Sequence, residues 1–411
     1  MADPVIRPGN GLLLLALQSA DDTYATPSAL TDALPYEEDS IDFNGPFKTE
    51  QSNESNGSFA AGAPLVIGQP ATFSFKARLK GAGLGATYTT AVKPPHHAAL
   101  AACGWMPLFT AALAAAALTA GTANSATLGT GAAATAQAYR GMPLMLTGAP
   151  AAGRCPLIVD YSAAKVATLA ESYGAALSTS NQGAIPANWS YAPTSPVDAA
   201  TRASMHPSAT IAYYEDGVLH RWGNCRGTID FEGSSARPGM ATFSFTGVYL
   251  GRTDAAMPTN AVIPGHSAPL LVQGSAAGPA AQIAGKPLPI SKWSLKNGGE
   301  IETPDDPNTT YGFGAGQITD RTQVLQVDPL MTQVAVRDTL AAIASYAQVP
   351  AALQFGATQG NRWSLLLPTS QPTDMTPGTR GKLRSETINY QALSPGRDSA
   401  GRDGDAILCF Y

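Results

Sequence analysis

Charge is scarce in this chain. Only 13% of its 411 residues are Asp, Glu, Lys or Arg, about half the usual share of roughly 25%. So little charge lets a folded protein hide much of its surface against partners, or present a polar coat of Ser and Thr. No run of Lys or Arg occurs, and the formal net charge is −5. Tight nucleic-acid binding needs clustered cations to displace counterions from phosphates, so nothing here points to it. Cysteine is sparse as well. Cys103, Cys155, Cys225 and Cys409 stand far apart and form no C-x-x-C pair. In a chain this long they read as free, mostly buried thiols of a reducing compartment.

Long apolar runs are missing too. Residues 12–17 are apolar and follow Arg7. They fall short of the roughly 20 residues that span a bilayer, and they lack the charged start and A-x-A site of a signal peptide. The Ala-rich stretch 109–123 is also short, with Gly121 and Asn124 interrupting it. The expectation is a soluble protein without a membrane segment.

What is present is apolar residue (44%), Gly (41) and Pro (32), enough for two or three domains with cores. Residues 1–40 read as an N-terminal arm whose leucines need a partner surface. Strands are expected at 47–52 and 71–79, where Phe73, Phe75, Ala77 and Leu79 share one face. Pro94-Pro95 and Gly104 bracket a short helix over 96–103. Residues 106–186 read as an Ala/Gly-rich insertion, partly low in complexity, with a strand at 157–161 and a helix at 162–176. Residues 209–222 form a hairpin around Glu215-Asp216-Gly217, because Asp-Gly supplies positive φ. Strands at 226–231 and 239–249 follow.

Residues 257–289 read as a linker. A second β block then has strands at 290–295, 318–327, 353–357, 362–367 and 382–393, a helix at 334–347 and a last strand at 405–411. The two blocks, 41–256 and 290–411, share one order: strand, strand, short helix, hairpin, long strand. Local echoes support a duplication. Thr72-Phe73-Ser74-Phe75 sits where Gln323-Val324-Leu325-Gln326 sits, and His220-Arg221-Trp222 answers to Asn361-Arg362-Trp363.

Candidate chemistry is thin. Gly223-Asn224-Cys225-Arg226-Gly227 has the shape of a nucleophile elbow, but a strand follows it where the elbow needs a helix; a glycine-bounded turn is expected. His96, His97 and Cys103 lack the second ligand pair of a zinc site. Gly81–Gly85 and Gly312–Gly316 match no phosphate-binding loop. Asp305-Asp306-Pro307-Asn308 lacks the spaced ligands of a calcium loop and reads as a turn. No base, nucleophile and orienter come together, so no catalytic, cofactor-binding or metal residue is assigned and an enzyme is not expected.

The order of motifs resembles the major tail tube proteins of long, flexible-tailed bacteriophages. The leucine-rich start with Asp21-Asp22-Thr23-Tyr24-Ala25-Thr26-Pro27 is similar to the family's opening. Gly68 to Gly81 resembles its first long strand, and His97 to Trp105 its Leu-Leu-x-Ala-Cys-Gly helix end. Ser208 to Tyr249 resembles its Thr-Ile-x-x-Tyr-x-Asp-Gly-Val hairpin and Phe-x-Phe-x-Gly strand, and Asp320-Arg321 a pair in its second half. Residues 106–186 lie outside the resemblance.

Membership implies a mainly β fold of sandwich or partial-barrel tube domains, two per chain, each with a short helix. It implies a structural, non-enzymatic virion protein whose rings stack into the conduit for DNA. The rings are expected to be trimers with pseudo-sixfold symmetry. Tape measure, tail terminator and baseplate proteins are the expected partners, DNA passes transiently, and assembly occurs in the host cytoplasm. The insertion is expected to face outward. The arm is expected to reach a neighbouring ring, so that deleting residues 1–35 weakens stacking and spares rings. The acidic balance suits a conduit that must not hold phosphates. The alternative is another virion surface protein, a decoration protein or carbohydrate-binding adhesin, motivated by the Thr/Ala-rich insertion.

Overall fold

The computed structural model describes residues 6–7, 9–55, 57, 59–264, 274–275 and 277–411. The first residues of the expected arm (1–5 and 8) and part of the expected linker (265–273 and 276) lie outside them. The described residues are mainly β, with three short helices and no closed barrel. Seventeen strands join one hydrogen-bonded network.

In chain order the first block holds β1 (Gly11–Leu17), β2 (Ala33–Leu34), β3 (Asp42–Phe43), β4 (Phe47–Glu50), β5 (Leu65–Gly68), β6 (Ala71–Arg78) and α1 (His97–Ala102). An insertion follows, entered by β7 (Trp105–Thr110) and left by β15 (Asn188–Pro193). Between them lie β8 (Leu113–Ala117), β9 (Ala120–Gly121), β10 (Ser125–Thr127), β11 (Met145–Thr147), β12 (Ile158–Tyr161), β13 (Val166–Leu169) and β14 (Gln182–Ile185). The block ends with α2 (Ala199–Met205), β16 (Ala209–Glu215), β17 (Val218–Ser234) and β18 (Met240–Asp254).

The second block holds β19 (Ala281–Ile283), β20 (Lys286–Pro287), β21 (Ile290–Lys296), β22 (Gly299–Glu302), β23 (Gln317–Arg321), β24 (Val324–Pro329), α3 (Thr339–Ala344), β25 (Val349–Phe355), β26 (Trp363–Arg380) and β27 (Leu383–Ala392). β28 (Ile407–Phe410) closes the chain.

The blocks are strand-for-strand repeats. In the first, the paired order is β2-β1-β16-β17-β18-β6-β3. In the second it is β20-β19-β25-β26-β27-β24-β21. Each repeat also carries a separate hairpin, β4–β5 or β22–β23, between corresponding strands. Even the irregularities match: a bulge at Ala209/Ile211 has its twin at Val349/Ala351.

The registers differ from the sequence echoes. Phe245 pairs with Phe73, and its twin Tyr390 pairs with Leu325, so Thr72 answers to Val324 and not to Gln323. Glu215 pairs with Val218 and Phe355 with Trp363, so Trp363 answers to Val218 and Trp222 to Leu367. One slip of a single residue would move a strand's whole apolar set to the other face.

Three further expectations change. The apolar residues of the expected arm are the first repeat's own strand, β1. Leu13 and Leu15 enter the main core, and Leu12 and Leu14 pack with Ala33 and Ala212. These leucines are already covered and need no partner. The expected linker likewise contributes β19 and β20 to the second repeat's sheet. Third, a strand stands where a helix was expected in the insertion, which folds around a core of its own that includes Leu118, Leu128, Leu144, Leu146, Tyr161 and Ile185. The expected helix over 162–176 is instead the strand β13, paired with β10 and β12.

Each repeat is a two-layer sandwich. In the second, Trp293 of the front layer stacks on Phe355 of the back layer, with ring centroids 5.8 Å apart. Leu365, Leu367 and Leu353 point into that core. Leu366 and Ala352 point the other way, onto Leu157 and Ala170 of the insertion. The insertion therefore covers the back layer, away from the front sheet.

Candidate functional site: a polar face and two open edges

The front layers of the two repeats merge into one sheet, ordered β3-β6-β18-β17-β21-β24-β27-β26. The merger is the pairing of β17 with β21: Phe231 faces Leu295 and Gly233 faces Trp293. Strand alternation then sorts the sheet's two faces. One face is apolar across both repeats, as in the row Ala77, Ala241, Phe231, Leu295, Leu325 and Tyr390. All of these belong to a single core.

The opposite face is small and polar. Ser74, Ser244 and Thr228 make one row. Glu232, Ser294, Gln326 and Asn389 make another, running across the repeat junction. Its charges balance in sign. Lys76, Arg78, Lys292, Lys296 and Arg380 share the face with Asp42, Asp230, Glu232, Asp328 and Asp374. Lys296 Nζ donates to Asp230 Oδ2 at 2.8 Å, and Arg380 Nη2 lies 3.3 Å from Asp328 Oδ2. A depression of about 380 Å³, lined by Glu232, Ser234, Arg237, Lys292, Gln326 and Asp328, lies on this face at the junction.

Such a surface holds a polyanion poorly. Its cations are interleaved with carboxylates, so few counterions would be released from phosphates on contact. The mildly acidic net charge of the chain is not concentrated here.

Both ends of the front sheet are open. Among the described residues, the C-terminal half of β26 pairs with β27 on one side alone, and β3 pairs with β6 alone. Unpaired edges are templates for another strand.

The residues singled out in the sequence serve the fold. Cys225 lies inside β17 at a bulge whose Asn224 has φ 53°, and not in a turn between strands. Its thiol is fully buried, donates to Gly223 O at 3.6 Å, and is pushed well up by burial. A nucleophile needs the opposite. His96 Nε2 is 2.9 Å from Pro35 O, and His97 Nδ1 is 2.8 Å from Tyr191 Oη. Burial pushes both imidazoles down to about 4. Cys103 Sγ donates to Thr228 O, so the three side chains do not converge. Gly81 packs against Gly360 O and donates its N–H to Asn361 Oδ1 at 3.0 Å, tying the two repeats. Asp306 Oδ1 accepts from Asn308 N at 2.9 Å, a local turn.

Sequence reading missed the polar face. Its residues are ordinary Ser, Thr, Asn and Gln, and the available signal was their alternation with Phe and Leu in β6, β18 and β21. No protein-family model matches the chain, and no curated relative aligns with it significantly.

Proposed function

We propose that this chain is the tail tube subunit of a long-tailed bacteriophage: copies close into rings, rings stack, and the polar face of the front sheet lines a bore for DNA. The observation that carries the reading is the merger of two repeats into one eight-stranded front sheet, covered on its apolar face, polar on the other and open at both edges. A sheet with one polar face and both edges open is suited to closure with further copies, since closure removes the edges. Three chains, each supplying two repeats, give pseudo-sixfold rings. At about 4.8 Å per strand the wall would be roughly 40 Å across between backbones, wide enough to pass a nucleic-acid duplex.

The charge balance of the face supports passage without adhesion. The insertion, packed on the back layer, would lie on the outside of such a tube. Tape measure, terminator and baseplate proteins are the partners this role implies, with the virion as its place and the host cytoplasm as the site of assembly. The role is structural and not enzymatic.

Electron microscopy of the purified protein tests the reading. Stacked rings with a central pore are expected. Monomers at every salt and protein concentration, together with absence from phage particles, would overturn it.

A further inference from the structure

We propose that the junction between the two repeats of one chain is repeated between chains: the free end of the second repeat docks on the free end of the first repeat of the next copy. The interface is argued from the duplication; only its closure into a ring rests on the tube reading.

The internal junction has two parts. In the first, β17 pairs with β21, with Glu232 opposite Ser294 and Ser234 opposite Lys292. In the second, the β22–β23 hairpin leans over the first repeat. Ile318 Cδ1 comes within 3.0 Å of where a Cβ on Gly104 would stand, just past α1. Arg226 Nη1 donates to Gly316 O at 2.8 Å beside it.

The matched registers name the twin of each partner. Met240 pairs with Glu232 and Ser385 with Gly378, so Glu232 answers to Gly378. Phe43 pairs with Phe73 and Leu295 with Leu325, so Ser294 answers to Asp42. Thr49 faces Val66 as Ile301 faces Ile318, so Ile318 answers to Val66. Gly104 and Tyr346 each stand two residues past a helix end with positive φ, 73° and 54°.

Among the described residues these twins have no such partner. Val66 is 66% exposed and Tyr346 is 74% exposed. Val66 sits on a hairpin that also exposes Phe47 and Leu65, and Leu340 and Val336 are exposed near Tyr346. The hairpin is held by Phe47, edge-on to Tyr311 with ring centroids 5.3 Å apart, while its Leu65 and Val66 stay exposed, an apolar patch of the kind that takes a partner. The hairpin lies next to the open edge of β3, and the α3 patch lies next to the open edge of β26. Each end therefore offers one free strand and one apolar patch. Gly378 to Asp42 and Tyr346 to Val66 join them in the geometry already present inside the chain.

One feature of the internal junction is not copied. Its Lys296–Asp230 ion pair has Asn44 and Thr376 as twins, so the interchain contact is neutral there and should hold as salt rises. The contact is heterologous, which closes into a ring when the rotation permits.

Cysteine cross-linking of the full chain tests the register. Opposed residues of an antiparallel pair lie within disulfide reach. Asp42→Cys with Gly378→Cys should give an interchain ladder under mild oxidation. Glu232→Cys with Ser294→Cys should close within one chain, and Asp42→Cys with Thr376→Cys should stay unlinked. Val66→Asp and Tyr346→Asp, both at exposed positions, should each weaken assembly about tenfold or more with unchanged circular dichroism and thermal unfolding. Rings without the Asp42–Gly378 cross-link, or assembly indifferent to both apolar substitutions, would overturn the interface and leave the tube reading standing. If no assembly forms at any concentration, both fall.

Discussion

Arg226 shows how single residues hold the repeats in register. Its side chain is 2% exposed and pairs with Asp21 at 2.8 Å. Its guanidinium also donates to His206 O at 2.7 Å and Gly316 O at 2.8 Å. A planar fork with several donors suits this task, and the point charge of Lys does not. Arg226→Ala should cost about 3 kcal/mol, since buried carbonyls lose their donors. Arg226→Gln, the residue its twin Gln371 already has, should cost less. Urea unfolding of both variants checks the order. His96 makes a second residue-scale prediction. Burial holds it neutral down to about 4 in the fold, while the unfolded chain takes the proton near 6.5. Its contribution is complete above pH 6.5 and is lost as pH falls toward 4, by about 3 kcal/mol at most. His96→Gln should flatten the stability profile across that window by up to one proton; an unchanged slope would count against the buried neutral imidazole.

At the scale of elements, β1 carries the largest correction. A leucine run at a chain start reads as an arm because nothing nearby in sequence covers it. Its partners are β16, far along the chain, and β2. Deleting residues 1–35 should therefore abolish soluble folded protein, read by circular dichroism and gel filtration. Well-folded monomer after the deletion would contradict the pairing. β26 shows the opposite difficulty. Pro368, Pro372 and Pro377 argue against a long strand, since proline cannot donate to a ladder. Pro368 falls at the bulge against β25; beyond β25 and β28 the half that holds Pro372 and Pro377 has an open side, and bulges and edges tolerate proline. The helix expected at 162–176 in the insertion was misread because Ala- and Thr-rich strands such as β13 carry little apolar alternation.

At the scale of the whole molecule, local patterning determined the mainly β class, the Asp216-Gly217 hairpin and the order of the duplicated elements. Alternating Phe and small polar residues fix which way a strand faces, and Asp-Gly fixes a turn, without help from distant residues. The tertiary structure decided the rest. The repeat register is set by hydrogen bonding between strands distant in sequence, so Trp222 and Trp363 look alike and yet hold different places. The merged front sheet depends on β17 meeting β21, a contact no local pattern encodes. The continuous polar face and its charge balance exist only once that contact is made, because only then do side chains from eight strands share one surface.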